Sequence, residues 1–275
     1  MLVDIPSYEA DGDRDREMFP KSEAGKQVTE AEYWENYYEP GIYNYEWNNG
    51  ILEEKPVGDT EGYEIYQWLV FLLKEFFKTF PIGKMVGLEM AFRLKQGQRQ
   101  GSIRKPDLGV VHIDNPVTLK GPDQSYHGIF DLCIESVSHS SKKTIEHDTI
   151  VKKDEYAHVG VREYYILDSW EMETSFLRLI DDGSYEPIPL KDKDILQSGV
   201  LPGFAFRVNY LKTRPELEQL IDDPVYSPYV GLALQAERKA KDEALLREKK
   251  AVKKQRRLEA LLRKAGIDPE NSQID

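Results

Sequence analysis

Between Thr60 and Val86 the hydrophobic period of this chain changes from helical to extended, and that change restricts the fold more than any other feature. From Thr60 to Phe80, the residues Ile65, Leu69, Leu72, Leu73, Phe76, Phe77 and Phe80 recur on one helical face until Pro81 stops the run. From Val86 onward, Val86, Leu88, Met90, Phe92 and Leu94 alternate strictly, the spacing of a strand with one side on a core. A helix that must bury a stripe, next to a strand that must bury a face, predicts an α/β fold (mixed α+β) with helices packed on a sheet.

The flanking segments extend that reading. Thr29 and Glu32 have the spacing of a capping box, and Ile42 to Trp47 meets Asn48-Asn49-Gly50 before Ile51-Leu52, which reads as a short helix followed by a hairpin. Leu108 to Ile113, Ile129 to Val137 and Glu163 to Asp168 read as strands, with a helical stretch from Ile145 to His158. A hairpin from Thr174 to Ile180, turning at Asp181-Asp182-Gly183, closes the sheet. Residues 1–27 have no period and are expected to form a loosely ordered arm. A folded domain is expected over 28–222, a linker and helical tail over 223–265, and a polar C-terminus over 266–275. Pro224, Pro228 and Gly231 mark the expected boundary, beyond which the tail should be dispensable for folding.

Charge divides the molecule in two. Gly231 to Ala265 holds 12 Lys and Arg against 5 Asp and Glu, a net +7 that leaves −19 for the rest of a chain whose total is −12. Such a balance argues against non-specific coating of nucleic acid, which depends on Lys and Arg replacing counterions. The tail favours one long charged helix, but its apolar residues form a thin stripe, so a coiled coil and a solvated helix are both open. The longest apolar stretch, Trp68 to Leu73, is too short to span a membrane, and the acidic N-terminus is unlike a signal peptide; a cytoplasmic protein is expected. Cys133, the one cysteine, lies in an apolar run and reads as a small buried hydrophobe.

Two of the 49 acidic residues stand out by position. Asp107 follows Pro106 at the mouth of a strand, and Glu135 interrupts the apolar run Leu132-Cys133-Ile134-Glu135-Ser136-Val137. A carboxylate in a core strand is costly unless it faces a site, a partner or a metal. Glu135 alone could be bonded to backbone or an arginine, but converging with Asp107 it would be held best by a divalent cation. Asp148, Lys152 and Tyr156 share one helical face, either as a surface ion pair or as a lysine aimed at the two carboxylates.

These residues stand in an ordered series: Tyr45-Glu46 with Asn49-Gly50, Lys105-Pro106-Asp107, Glu135-Ser136-Val137-Ser138, Asp148 with Lys152 and Tyr156, Gly160-Val161 with Glu163-Tyr164, and Asp168. From about Thr29 to Val208 the chain resembles the Uma-two family of restriction endonucleases, in the PD-(D/E)XK nuclease superfamily. The resemblance implies a restriction-endonuclease-like mixed sheet flanked by helices, with Mg²⁺ (Mn²⁺ as substitute) bound through Asp107 and Glu135. The superfamily lysine two residues after the glutamate is Val137 here, and the resemblance gives that role to Lys152 on the adjacent helix. It also makes Glu64 a candidate further ligand. The implied activity is a magnesium-dependent endodeoxyribonuclease acting on nucleic acid, with DNA as the expected substrate and Lys95, Arg99, Arg104, Lys105, Lys142, Lys143, Lys152 and Lys153 as local cations. A homodimer and an unknown protein partner for the C-terminal helix are further expectations. The rival readings are an inactive nuclease-fold binding module that uses its helical tail, and a metal-independent glycosidase.

Overall fold

A computed structural model describes residues 20–39, 41–87, 90–95 and 101–264. The expected capping box forms: the Thr29 side chain accepts from the Glu32 amide and the Glu32 carboxylate accepts from the Thr29 amide, opening α1 (Glu30–Asn36). The hairpin β1 (Tyr45–Asn48) and β2 (Ile51–Glu54) turns at Asn49 (φ 47°) and Gly50 (φ 95°), the left-handed pair that a two-residue turn needs. Asp59 caps α2 (Thr60–Thr79) by accepting from the Gly62 amide, and Ile65, Leu69, Leu72, Leu73 and Phe76 are all buried.

The alternating run from Val86 to Leu94 is not one strand. It divides into β3 (Gly83–Val86) and β4 (Phe92–Leu94), which belong to different sheets. Leu88 and Glu89 lie outside the described residues. Alternation continues across the division because Val86, Met90, Phe92 and Leu94 all pack into one apolar cluster. The remaining elements are β5 (Ser102–Arg104), β6 (Leu108–His112), β7 (Leu132–Ser136), α3 (Lys142–Glu146), a π turn at His147–Val151, α4 (Lys152–Val159), β8 (Glu163–Leu167), β9 (Ser175–Leu179), β10 (Tyr185–Pro187), β11 (Ile195–Gln197), β12 (Ala205–Arg207), α5 (Tyr210–Thr213), α6 (Leu217–Leu220) and α7 (Leu232–Lys264).

The main sheet has the order β10-β9-β8-β7-β6-β3 and is antiparallel except for β7 beside β8. That parallel pair needs a crossover, which the helical segment from α3 to α4 supplies. A second sheet, β2-β1-β5-β4, stands beside it, and β11 pairs with β12. The period-2 strands give the main sheet two buried faces. On one, Leu108, Val110, Leu132, Ile134, Tyr165 and Leu167 meet α2. On the other, Cys133, Tyr164 and Ile166 meet Tyr156 of α4. Cys133 is fully buried, which pushes its thiol well above the usual range.

Core packing extends past residue 222. Tyr226, Tyr229 and Val230, placed in the linker by their Pro and Gly neighbours, lie in the same cluster as Trp68 and Phe76. Burial thus continues through Val230, whereas α7 has no buried residue. At the other end, the arm expected over 1–27 is described only from Pro20, and there it is tied to the hairpin: the Gly25 amide donates to Leu52 O at 2.8 Å. The expected C-terminus over 266–275 lies outside the described residues. Among the described residues no helix is long and apolar enough to cross a membrane.

Candidate metal centre

The two sheets meet where the chain passes from β5 of the second to β6 of the first, and Asp107 is the last residue of that passage. Antiparallel pairing of Leu108 with Ile134 brings Asp107 alongside the end of β7. There its Oδ2 accepts from the Ser136 amide at 2.7 Å, which fixes the carboxylate beside Glu135. Gly62 lets the first turn of α2 come close on the other side, since a Cβ there would lie 3.0 Å from Ser136 Oγ. Tyr66, one turn further along α2, donates to Asp107 O at 3.0 Å.

Glu135 alternates with Ile134, so its side chain projects away from α2 and towards α4. Its Oε1 accepts from the Tyr156 hydroxyl at 2.8 Å and lies 3.0 Å from Lys152 Nζ. Burial pushes the Glu135 carboxyl up to about 7, with the Lys152 ammonium opposing the rise and the Asp107 charge adding to it. Lys152 opens α4 directly after the π turn, a local widening frequent at functional sites. Its Nζ lies 3.0 Å from Asp148 Oδ1 and 3.7 Å from Glu46 Oε1. Burial would discharge this amine, yet Asp148, Glu135 and Glu46 hold it charged well above the ordinary lysine range. The surface-pair reading of Asp148 and Lys152 is thus overturned, because both side chains are buried.

A second lysine reaches the same place. Lys55 follows β2, and its Nζ lies 2.7 Å from Asp107 Oδ1 while donating to Lys105 O at 2.7 Å. Asp107, Glu135, Asp148, Lys55 and Lys152 line a cleft of about 500 Å³, whose rim carries the exposed Val57 and Tyr63. Behind it, the fully buried Arg104 grips Glu155 through Nε (2.6 Å) and Nη2 (2.8 Å) and reaches Glu46 and Glu53 through Nη1. Glu46, Glu53 and His147 offer ligand atoms within 4.8 Å of one another, but Arg104 already supplies a cation to both glutamates.

Asp107, Glu135 and Lys152 therefore converge, and Glu64 does not join them. It is exposed and pairs with Arg214 at 3.2 Å, on the outer face of α2. Besides Lys152, two of the cations expected near phosphates are interior. Arg104 is committed as described, and Lys105 Nζ donates to Tyr38 O (2.6 Å) and Asn44 Oδ1 (2.9 Å). Arg99 lies outside the described residues. Sequence reasoning missed Lys55, which stands in a charged stretch indistinguishable from a solvated turn. It also gave Glu46 no role of its own, although a glutamate between Tyr45 and Trp47 is the same signal that singled out Glu135.

The residues fit a divalent cation. The cleft offers hard carboxylate oxygens, the donor type that Mg²⁺ and Mn²⁺ take. Three carboxylates (Asp107, Glu135 and Asp148) line the cleft with two ammonium groups (Lys55 and Lys152), so carboxylates outnumber ammonium groups there.

A family profile described as "Putative restriction endonuclease" matches residues 30–209. Among solved structures, a "putative nuclease belonging to DUF820" from Anabaena variabilis ATCC 29413 superposes with a TM-score of 0.52 at 14% identity, over 68% of this chain and 98% of that one. At that identity the likeness speaks for the fold. No curated protein matches the chain.

Proposed function

The chain belongs to the Uma2 family of restriction endonucleases, and from that membership we propose that it is a Mg²⁺-dependent endonuclease that cleaves phosphodiester bonds in DNA. In this reading Asp107 and Glu135 hold the metal and Lys152 is the catalytic lysine, with Mn²⁺ able to replace Mg²⁺. The protein would act in the cytoplasm. The observation that carries the proposal is the convergence of the two carboxylates in one cleft, with Lys152 Nζ 3.0 Å from Glu135 Oε1.

A bound Mg²⁺ would supply Lewis-acid polarisation of the scissile phosphate and a water of lowered pKa. The protein's own groups do the rest. The Ser136 amide orients Asp107, and the Tyr156 hydroxyl orients Glu135. Lys152, held protonated by its carboxylates, acts as a fixed cation and hydrogen-bond donor rather than as a base. It offsets the negative charge that develops on the phosphoryl oxygens.

The test is to replace Asp107 or Glu135 by Ala. Mg²⁺-dependent cleavage of plasmid DNA is expected to fall to background in each. The Mn²⁺-induced rise in melting temperature, which follows from binding to the native state alone, is expected to vanish. If that rise survives in both variants, the metal sits elsewhere and the reading fails. Cleavage that persists in chelator would point instead to a metal-independent hydrolase.

A further inference from the structure

We infer that Lys55 is a resident counter-cation of Asp107 that a divalent ion must displace, so that metal affinity stays low until the Lys55 ammonium is drawn to another anion. This rests on the metal reading of Asp107 and Glu135 proposed above.

The two lysines of the cleft are held differently. Lys152 is surrounded by Glu135, Asp148 and Glu46 at 3.0, 3.0 and 3.7 Å, and its side chain is 2% exposed. Lys55 has one close carboxylate, Asp107, at 2.7 Å, and one carbonyl, Lys105 O. Its backbone is anchored, with the amide donating to Asn44 O at 2.8 Å, but its ammonium rides on a flexible four-carbon stem that lines the cleft. Asp107 is itself held in place, because Oδ2 accepts from the Ser136 amide, which is fixed in β7, so the carboxylate does not swing away from Lys55. A divalent ion on this carboxylate would stand within a few ångströms of the ammonium, where like charges in a partly buried site repel strongly. Lys55 is therefore the group that yields.

Exchange of one ammonium for a doubly charged ion improves the balance of a cleft lined by three carboxylates and two ammonium groups. What opposes it is the ammonium left without an anion. A phosphate in the cleft removes that cost, since a backbone phosphate is a natural partner for lysine. Metal and nucleic acid then bind cooperatively, each strengthening the other through Lys55.

The experiment is calorimetric titration of Mn²⁺ into the full-length protein, into Lys55→Gln, Lys55→Arg and Asp107→Ala, with and without a short phosphorothioate DNA oligonucleotide. Lys55→Gln is expected to bind Mn²⁺ about tenfold more tightly than the wild type, equivalent to about 1.4 kcal/mol. Lys55→Arg, which keeps the cation, should not. The oligonucleotide should tighten Mn²⁺ binding to the wild type and have little effect on Lys55→Gln. Should Lys55→Gln fold poorly, Lys55→Met provides the same comparison. Affinity that is unchanged or weaker in the neutral variants, while Asp107→Ala loses binding, overturns this inference and leaves the metal reading standing. Absence of Mn²⁺ binding in the wild type and in every Lys55 variant overturns both.

Discussion

At the residue scale, what can be read in a sequence is a charge where none is expected. Glu135 is legible because five of its neighbours are uncharged strand residues, and a carboxylate there needs a reason. Asp107 is legible because Pro106 and the following apolar strand fix it at a strand mouth. Lys55 is not legible, since Glu53-Glu54-Lys55-Pro56 has the composition of a solvated turn and only three-dimensional pairing carries its amine inward. Burial makes these charges interdependent, and that leads to two predictions. Lys152→Ala leaves Glu135 and Asp148 without their shared cation, so the metal-free protein should lose roughly 3–5 kcal/mol of stability in denaturant titration. Mn²⁺ should still raise its melting temperature, because Asp107 and Glu135 remain, while DNA cleavage is lost. A Lys152→Ala protein that cleaves DNA at the wild-type rate would remove this residue from the proposed mechanism. Arg104→Ala should also destabilise by roughly 3–5 kcal/mol, because Glu155 and Glu46 are left buried beside an empty space. Its Mn²⁺ response should persist, since Arg104 touches neither Asp107 nor Glu135, and loss of that response would tie Arg104 to the centre itself.

Elements were legible where a local signal determines them. The capping box, the Asn49-Gly50 turn and the long helix α2 each depend on residues within a few positions of one another. Where two elements share one core, period alone cannot separate them, which is why the alternation from Val86 to Leu94 conceals the passage from β3 to β4. The helical stretch after β7 was legible as helix, but its π turn was not, because no residue type demands one. The end of that stretch is set by Gly160, which adopts φ 91° and lets the chain turn from α4 into β8. Among the described residues, nothing beyond its chain neighbours lies within 4 Å of the position its Cβ would take. Gly160→Ala should therefore cost only the left-handed backbone penalty, about 1–2 kcal/mol in chemical denaturation. Cleavage and the Mn²⁺ shift should remain in the folded variant. A much larger loss would mean that α4, and with it Lys152, depends on this cap for its position.

At the scale of the whole molecule, sheet order could not be read, because pairing between strands far apart in sequence is chosen by packing rather than by any one strand. The division between body and tail is legible in charge, but charge does not give its position. Composition sees Pro224, Pro228 and Gly231 as a linker, whereas Tyr226 and Tyr229 use that turn to reach the core around Trp68 and Phe76. Their hydroxyls are used as well: Tyr226 accepts from the Arg207 amide at 2.8 Å and Tyr229 donates to Ala205 O at 2.6 Å, so the turn is fastened to β12. Gln235 then donates to Ser227 O and Val230 O at 3.1 and 2.8 Å, closing the turn from the first residues of α7. We therefore propose that the folding unit ends just beyond Gln235, and that the rest of α7, exposed along its length, serves contacts outside the body. A chain ending at Glu237 should melt cooperatively within a few degrees of the full-length protein and keep its Mn²⁺ shift. A chain ending at Leu220 loses two buried aromatic side chains, each worth about 3–5 kcal/mol when removed from a core, and should aggregate or unfold without a cooperative transition. Equal melting temperatures for the two truncations would place Tyr226 and Tyr229 outside the core and return the boundary to residue 222.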